Sequence, residues 1–251
     1  MWFSLRKLLS EPIKRVFRAV DYAVVPKWEV RRWRERLANA KKLGFHPQTI
    51  LDGGAFRGLW SREVAGLFPG AQIVLVEPNP FLQKIIRGST ADIKPEPVIL
   101  ELALGESPGA TQLNIWRGVE EDSGASLLSH VQGKASQAVE VQVDTIDAIA
   151  ERLSFVPDLI KLDLQGGELK ALRGAERALE QTQMVIVEFH CLDAYVGRPT
   201  PRDLLDYMYD RDFCLYDIVD CYNRPYDDAL AGGDFFFVKN SSHLRSYQGW
   251  E

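Results

Sequence analysis

Glycines and carboxylates stand together at the ends of apolar runs, where a ligand could be held. Asp52 is followed closely by Gly54 and Gly58 in LDGGAFRG, and Glu77 ends the apolar run QIVLVEP. Glycines at this density indicate a tight turn or a backbone that a ligand approaches closely. In open α/β sheets, ligands bind outside the carboxyl ends of the strands, which is where both motifs fall. Each motif alone has a purely structural interpretation, but together they predict a nucleoside-binding site.

The spacing of these motifs narrows the choice of ligand. Glu77 lies 25 residues after Asp52, close to the roughly 20-residue separation at which dinucleotide-binding folds place a carboxylate on a ribose. The fingerprint G-x-G-x-x-G and the phosphate loop G-x-x-x-x-G-K-[ST] are both missing, which disfavours a pyrophosphate ligand. Backbone N–H groups and a carboxylate can instead hold a ligand that carries an ammonium and a carboxylate. S-adenosylmethionine therefore fits these residues better than NAD.

A second set of residues could accept a proton. Asp163 stands in KLDLQGGE, and Glu188 and His190 stand in VEFH, each at the end of a predicted strand. Methyl transfer from a sulfonium to an alcohol needs aligned reactants and a base for the hydroxyl proton. Asp163 is the first candidate for that base, although it could also cap the following helix. His190 could be a hydrogen-bonded residue at the sheet edge, and Glu188 a buried carboxylate paired with an arginine.

Two further features have both functional and structural interpretations. In YVGRPTPRD, Arg198 and Arg202 frame two prolines. This segment could contact an anionic acceptor, form a lid, or be a surface loop that caps the next helix. No tight cluster of metal-ligating residues is visible around Asp163, so the sequence predicts no metal ion.

The elements that must position these residues alternate along the chain from Thr49 onward. Several apolar runs are continuous, which is typical of parallel strands covered on both faces. The predicted strands are TILDGG, AQIVLVEP, PVILELALG, TQLNIWRG, VEVQVDTI, DLIKLDLQGG, MVIVEFH, FCLYDIVD and DFFFVK. The predicted helices between them are LWSREVAGLF, FLQKIIRG, ELKALRGAERALE and about Pro201 to Asp210. This order predicts an α/β fold with a mostly parallel sheet.

Charge divides the chain into a basic arm and an acidic body. Residues 1–46 hold 12 Lys/Arg against 4 Asp/Glu, whereas the rest of the chain carries a net charge of −13. An acidic body argues against nucleic acid as the main partner. In the arm, an apolar helical face from Leu5 to Val20 lies opposite lysines and arginines, and a second arginine-rich helix runs from about Trp28 to Leu43. Such a segment could contact an anionic membrane surface or simply pack on its own domain.

The compartment is predicted from what the sequence lacks. No apolar run approaches the roughly 20 residues that span a bilayer, and no secretory signal pattern is visible at the N-terminus. The three cysteines, Cys191, Cys214 and Cys221, form no C-x-x-C pair and leave one unmatched, as expected for reduced thiols. The sequence thus predicts a cytoplasmic protein, with peripheral contact at the inner membrane face as one use of the arm.

From about Thr49 to Lys239, these motifs resemble the FkbM family of S-adenosylmethionine-dependent methyltransferases. The most distinctive part is LIKLDLQGGELKALRGAERALEQTQMVIVEF, which is similar to the family's long iDvEGaE…LkGa…E signature. LDGGAFRG and VEPNP match its cofactor motifs, and ALGES, VDTIDAI and GGDFFFVK resemble its later segments. Gln165 replaces the glutamate of many members, which argues against any mechanism that needs a carboxylate at that position.

The resemblance implies a fold and a cofactor site. The fold is the class I methyltransferase Rossmann-like sheet with DFFFVK as an antiparallel last strand, formed by residues 47–251 after an N-terminal helical extension of residues 1–46. The residues implied at the methionine end of the cofactor are Asp52, Gly54, Ala55 and Gly58. Those implied at the ribose are Glu77 and Asn79, and those beside the adenine are Ala103 and Leu104.

Three functions from different classes follow. The resemblance implies an O-methyltransferase, with a hydroxyl of a sugar or other glycan precursor as its acceptor. An NAD-dependent sugar-modifying oxidoreductase is disfavoured because the dinucleotide fingerprint is missing. The third function is a binding module that has the fold but no catalytic activity. The intact cofactor motifs argue against it, whereas Gln165 leaves it open. Oligomeric state is not predicted.

Overall fold

A computed structural model describes residues 32–116, 124–131, 136–193, 195–247 and 249. The amphipathic stretch from Leu5 to Val20 lies outside these residues, so membrane contact through the arm stays a prediction. Among the described residues, no helix combines the length and the apolar character needed to cross a membrane.

Strands and helices alternate through most of this part of the chain. The strands are β1 (Thr49–Gly53), β2 (Gln72–Val76), β3 (Val98–Leu100), β4 (Ala103–Leu104), β5 (Gly109–Ile115), β6 (Gln137–Asp144), β7 (Leu159–Leu162), β8 (Met184–His190), β9 (Phe213–Asn223) and β10 (Leu230–Lys239). The α-helices are α1 (Trp33–Lys42), α2 (Leu59–Leu67), α3 (Gln83–Ser89), α4 (Ile146–Leu153), α5 (Glu168–Arg173), α6 (Glu176–Gln181) and α7 (Pro201–Tyr209). Short 3₁₀ turns cover Pro80–Leu82 and His243–Arg245.

The main sheet has seven strands in the order β3-β2-β1-β7-β8-β10-β9. The first five are parallel to one another, and β10 runs antiparallel to both of its neighbours, β8 and β9. The chain leaves β1 toward β2 on one side and returns to β7 on the other, so the strand order reverses beside β1. Ligands of open α/β sheets bind at such a reversal. The predicted class I sheet, with its antiparallel strand from DFFFVK, is confirmed.

Apolar side chains cover both faces of this sheet, as the continuous apolar runs predicted. Along β1, Ile50 faces one core and Leu51 the other, and Ile73 and Val74 of β2 divide in the same way. Successive side chains of a strand point to opposite faces, so a strand buried on both faces reads as an unbroken apolar run.

The described part of the predicted arm packs against the body. Leu37 of α1 is fully buried in one of the two cores, and the ring centroids of Trp33 and Trp60 lie 5.5 Å apart. Arg36 forms an ion pair with Asp217 of β9. This part of the second helix therefore packs on its own domain, whereas the boundary at residue 46 stays a prediction.

Two predicted elements are divided in the structure. PVILELALG leaves the main sheet after Leu100, and its second half becomes β4 of a separate three-stranded sheet, β4-β6-β5. The single helix predicted over ELKALRGAERALE breaks at Gly174 into α5 and α6. A Cβ at Gly174 would lie 2.1 Å from the carbonyl oxygen of Gly105. Both differences arise from contacts with segments far away in sequence, which no local pattern reports.

Candidate functional site

A cleft opens at the carboxyl ends of β1, β2 and β7, where the strand order reverses. It encloses about 720 Å³, including the part open to solvent. Its lining residues are Gly54, Phe56, Val76, Glu77, Pro78, Leu82, Leu102, Ala103, Leu104, Leu113, Ala125, Leu127, Asp163, Leu164, Gln165 and Gly167. The cleft thus brings together Gly54, Glu77, Ala103, Leu104 and Asp163, five of the residues predicted from sequence. Of the other cofactor candidates, Asp52, Ala55, Gly58 and Asn79 are buried behind this lining.

The glycine turn is shaped by a close approach between two strand ends. Gly54 has a φ of +74°, and a Cβ at this position would lie 1.9 Å from the carbonyl oxygen of Asp163. Gly58, with a φ of +73°, precedes the first residue of α2. The N–H groups of Gly54 and Ala55 donate to the carbonyl of Val76. These N–H groups therefore have acceptors within the chain, whereas the sequence argument expected them to hold a ligand carboxylate.

A buried lysine joins the glycine turn to β7. Lys161 Nζ donates to the carbonyl oxygen of Gly54 at 2.9 Å and lies 3.2 Å from Asp52 Oδ1 and 3.5 Å from Asp163 Oδ2. Burial would lower the pKa of Lys161, but Asp52 and Asp163 raise it above its usual value, so the ammonium stays charged. Asp52 is fully buried and also accepts from Ser61 Oγ at 2.6 Å. Sequence reasoning missed Lys161, although a lysine inside the apolar run DLIKL was a signal, because lysine is rarely buried unpaired.

Glu77 reaches the cleft with capacity to accept hydrogen bonds. Its Oε2 accepts from the N–H of Phe56 at 2.8 Å, and its Oε1 accepts from the N–H of Asn79 at 2.9 Å. Each carboxylate oxygen therefore has one backbone donor and room for another. Burial raises the pKa of Glu77 to about 7, although these N–H groups and Lys161 oppose the rise. Asn79 is itself buried and orients Glu77 rather than facing the cleft.

At the other end of the cleft, Asp163 belongs to a pair of carboxyl groups. The carboxyl groups of Asp163 and Glu188 both accept hydrogen bonds from the side-chain amide of Gln165, so they lie side by side and the charge of one disfavours ionisation of the other. Burial, followed by the negative charge of Asp163, raises the pKa of Glu188 well above its usual value. Burial alone would raise the pKa of Asp163 too, but Lys161 lowers it. The proton therefore lies on Glu188, and Asp163 is the ionised member.

Gln165 is fixed between these two groups. Its side-chain amide donates to Asp163 Oδ1 at 2.9 Å and to Glu188 Oε2 at 2.8 Å. Its φ of +52° and the hydrogen bond from Ser126 Oγ to its carbonyl hold the loop in place. A glutamine performs this bridging as a donor, which a glutamate could not do while ionised.

The loop after β7 is closed by Glu168, not by Asp163. Glu168 Oε1 accepts from the N–H of Leu164 at 2.8 Å and of Gly166 at 3.1 Å. Burial raises the pKa of Glu168 to about 7 against the effect of these donors. Among the described residues, no side chain caps α5, whose N-cap residue is Gly167, so Asp163 does not have the capping role that its structural interpretation gave it.

Beyond Glu188, the polar groups continue to the far strands. His190 Nδ1 lies 2.8 Å from the Tyr222 hydroxyl, and its Nε2 lies 3.2 Å from Glu188 Oε2 without the alignment of a hydrogen bond. Burial, then the charge of Arg198, lowers the pKa of His190, which keeps the imidazole neutral near pH 7. Asp234 of β10 lies directly opposite Glu188 of β8. We refer to Asp163, Gln165, Glu188, His190, Tyr222 and Asp234 as the polar cluster.

Within the described ranges, no group of three His, Cys, Asp or Glu side chains is arranged to hold a metal ion, and the absence of a metal stays a prediction.

The sheet order, the glycine turn after β1 and the carboxylate after β2 define the class I fold of S-adenosylmethionine-dependent methyltransferases. The methyltransferase FkbM domain matches residues 52–215, which is more than half of the chain. The chain therefore belongs to the FkbM methyltransferase family and carries the S-adenosylmethionine-dependent methyltransferase domain of that family.

Several solved structures are similar to this chain, and one of them, with a TM-score above 0.5, supports the fold. The methyltransferase FkbM of Methylobacillus flagellatus is 18% identical, with a TM-score of 0.51 over 82% of this chain and 48% of that chain. This chain thus spans about half the length of the Methylobacillus chain. Magnesium protoporphyrin IX methyltransferase of Synechocystis, solved with bound cofactor, is 12% identical, with a TM-score of 0.48 over 82% and 76% of the two chains. A putative RNA methyltransferase of Pyrococcus horikoshii is 14% identical, with a TM-score of 0.45 over 82% of each chain. Among curated protein sequences, none is significantly similar to this chain.

The pKa of Glu77 makes cofactor affinity depend on pH. Ribose hydroxyls donate best to an ionised carboxylate, and the pKa of Glu77 in the free protein is about 7. We expect the affinity for S-adenosylhomocysteine to be highest above pH 7 and to fall by up to about tenfold per pH unit below it. Calorimetric titration between about pH 5.5 and 7.5 measures this and avoids deprotonation of the ligand's own amino group.

Glu77→Gln is the matched control for this pH dependence. The amide cannot titrate, so this variant should bind more weakly with a nearly flat profile, although Glu168 and Asp234 have pKa values near 7 as well. A wild-type affinity that stays constant over the range, or a slope that persists in Glu77→Gln, would contradict the assignment of Glu77 to the ribose.

Proposed function

We propose that this enzyme is an O-methyltransferase whose acceptor is a hydroxyl of a sugar or other glycan precursor. The observation that carries the proposal is that Asp163 lines the cofactor cleft and also belongs to the polar cluster. A hydroxyl group bound beside Asp163 would have an ionised carboxylate within reach. The surrounding amide, phenol, imidazole and carboxyl groups suit an acceptor with several hydroxyls better than an apolar one.

The cleft has features that fit the cofactor. Glu77 would accept hydrogen bonds from the ribose, because each of its oxygens has one backbone donor and capacity for a second. Ala103, Leu104 and Leu113 form an apolar wall suited to the adenine ring. Asp52 and Lys161 would act from behind by fixing the glycine turn. When bound, S-adenosylmethionine supplies an activated methyl group on a sulfonium.

The chain's own residues would then align the acceptor and take its proton. Asp163 would take the hydroxyl proton as the acceptor oxygen receives the methyl group that the bound cofactor would supply. A carboxylate of low pKa is adequate because the hydroxyl becomes strongly acidic as the new bond forms. Gln165 and Lys161 hold Asp163 in orientation. Neutral His190 is the second candidate base.

The test is a methyl-transfer assay with methyl-labelled S-adenosylmethionine. Acceptors would include neutral hexoses, hexuronates, hexose phosphates, phenols and amines, with products identified by mass spectrometry. Label in an O-methyl ether of a sugar supports the proposal, and label only in phenols or amines contradicts it. Cofactor binding with no transfer to any acceptor would favour the binding module, and binding of NADH alone would favour the oxidoreductase.

A further inference from the structure

Arg198 is a buried cation that the described residues satisfy only in part. It lies between β8 and α7, and only 5% of its side chain is exposed. Its Nε and Nη1 are buried and have no hydrogen-bond partner among the described residues. Its Nη2 lies 3.5 Å from Asp193 Oδ1, but 89% of the Asp193 side chain is exposed. Two buried donors of a charged group thus lack acceptors.

A neighbouring arginine has the exposed, ion-paired environment that is usual for this residue type. Arg202 of α7 is 86% exposed at its side chain and lies 3.1 Å from Asp206 in a surface ion pair. Burying a guanidinium without a partner is costly, and arginine cannot lose its proton to avoid that cost. Buried polar groups in proteins are almost always hydrogen-bonded. The position of Arg198 is therefore that of a residue whose partner comes from a ligand.

The surroundings place Arg198 at the edge of the polar cluster. A Cβ at Gly166 would lie 3.1 Å from the Cβ of Arg198, so the arginine stem packs on the loop that carries Gln165. The guanidinium is near enough to His190 and Tyr222 to lower the pKa of each, against the burial that raises that of Tyr222. Arg198 does not line the cofactor cleft. The cofactor approaches Asp163 from one side, and Arg198 approaches the cluster from another.

We infer that Arg198 binds an anionic group of the acceptor, a carboxylate or a phosphate, and that the acceptor is an acidic sugar such as a hexuronate or a hexose phosphate. This inference rests on the proposed function, because it identifies the class of acceptor for the same site. An arginine fork donates to carboxylate and phosphate oxygens alike, so the two sources share one chemistry. The anion would fix the sugar so that one hydroxyl faces Asp163.

The experiment compares full-length wild type with three variants, all saturated with S-adenosylhomocysteine. Arg198→Met removes the charge and keeps most of the stem, Arg198→Lys keeps the charge, and Arg202→Met removes an exposed arginine from the same segment. The probes are glucuronate, glucose 6-phosphate, glucose and inorganic phosphate, and binding is measured by calorimetry. Melting temperature reports whether each variant is folded, and affinity for S-adenosylhomocysteine reports whether its cofactor site is intact.

We expect at least one acidic sugar to bind wild type more tightly than glucose. Arg198→Met should weaken that binding by about ten- to a hundredfold, while Arg202→Met leaves it unchanged and Arg198→Lys is intermediate. Comparison of glucuronate with glucose 6-phosphate identifies the source of the anion. Equal binding of glucose and acidic sugars, or acidic-sugar binding that survives in Arg198→Met, would overturn the inference. Loss of S-adenosylhomocysteine affinity in Arg198→Met would overturn it too, by assigning Arg198 to the cofactor.

The outcomes also separate this inference from the proposed function. Methylation of a neutral sugar that does not depend on Arg198 would leave the proposed function standing and remove the inference. Phosphate binding that is lost in Arg198→Met, without methyl transfer to any sugar, would keep the anion site and remove the sugar hydroxyl as the methylated group.

Discussion

Asp163→Asn should lower the rate of methyl transfer by about 10²- to 10⁴-fold, the range typical for loss of a general base. Asparagine has almost the same shape and can still accept a hydrogen bond from Gln165, but it cannot take the hydroxyl proton. The affinity for S-adenosylhomocysteine should change little, because we assign its ribose and adenine to other residues of the cleft. Initial rates with labelled cofactor, together with calorimetry on the same preparation, measure both quantities.

Glu188→Gln is the matched control for this prediction. Glutamine imitates the protonated carboxyl that we assign to Glu188, so this variant should keep most of the activity. A large loss in Glu188→Gln with little loss in Asp163→Asn would reverse the two assignments. If Asp163→Asn mainly weakens cofactor binding, Asp163 instead holds the ammonium of the cofactor.

Gly54→Ala should destabilise the fold and abolish cofactor binding. A Cβ at this position would lie 1.9 Å from the carbonyl oxygen of Asp163, in a backbone conformation with a φ of +74°. The left-handed conformation and the clash each cost about 1–3 kcal/mol, so we expect a loss of about 3 kcal/mol or more. For a domain of this size, that corresponds to a fall in Tm of about 6–12 °C. Denaturant unfolding and calorimetry with S-adenosylhomocysteine measure the two effects.

Gly66→Ala is the control with the same chemical change. Gly66 lies within α2, and a Cβ there would meet nothing within 4 Å. Alanine is a better helix former than glycine, so this variant should gain about 0.5–1 kcal/mol and keep full cofactor affinity. A Gly54→Ala protein as stable as wild type, with unchanged affinity, would show that the turn has room and that its glycine is not required.

The residues assigned to the cofactor site could be predicted from sequence, because their positions depend on short segments of the chain. A continuous apolar run predicts a buried parallel strand, and the residue that ends it lies at the carboxyl edge of the sheet. Glu77 was placed in this way, and the structure puts it in the cleft with Gly54, Ala103 and Leu104. Asp163 was found by the same reasoning. The mostly parallel α/β sheet follows from the alternation of strands and helices, and the class I fold with its antiparallel strand follows from the family resemblance.

The protonation and the burial of these side chains depend on the tertiary structure. Asp52 lies more than 100 residues before Lys161, yet it helps to keep the Lys161 ammonium charged, and that charge lowers the pKa of Asp163. Arg198 and Arg202 look alike in sequence, but one is buried beside the cluster and the other is exposed in a surface pair. Periodicity and turn residues report on the backbone of a short segment. Burial and pKa depend instead on groups that folding brings together from distant parts of the chain. The sequence alone thus determined where the strands end and which family motifs stand there, and the tertiary structure decided which of those side chains carry charge and face one another.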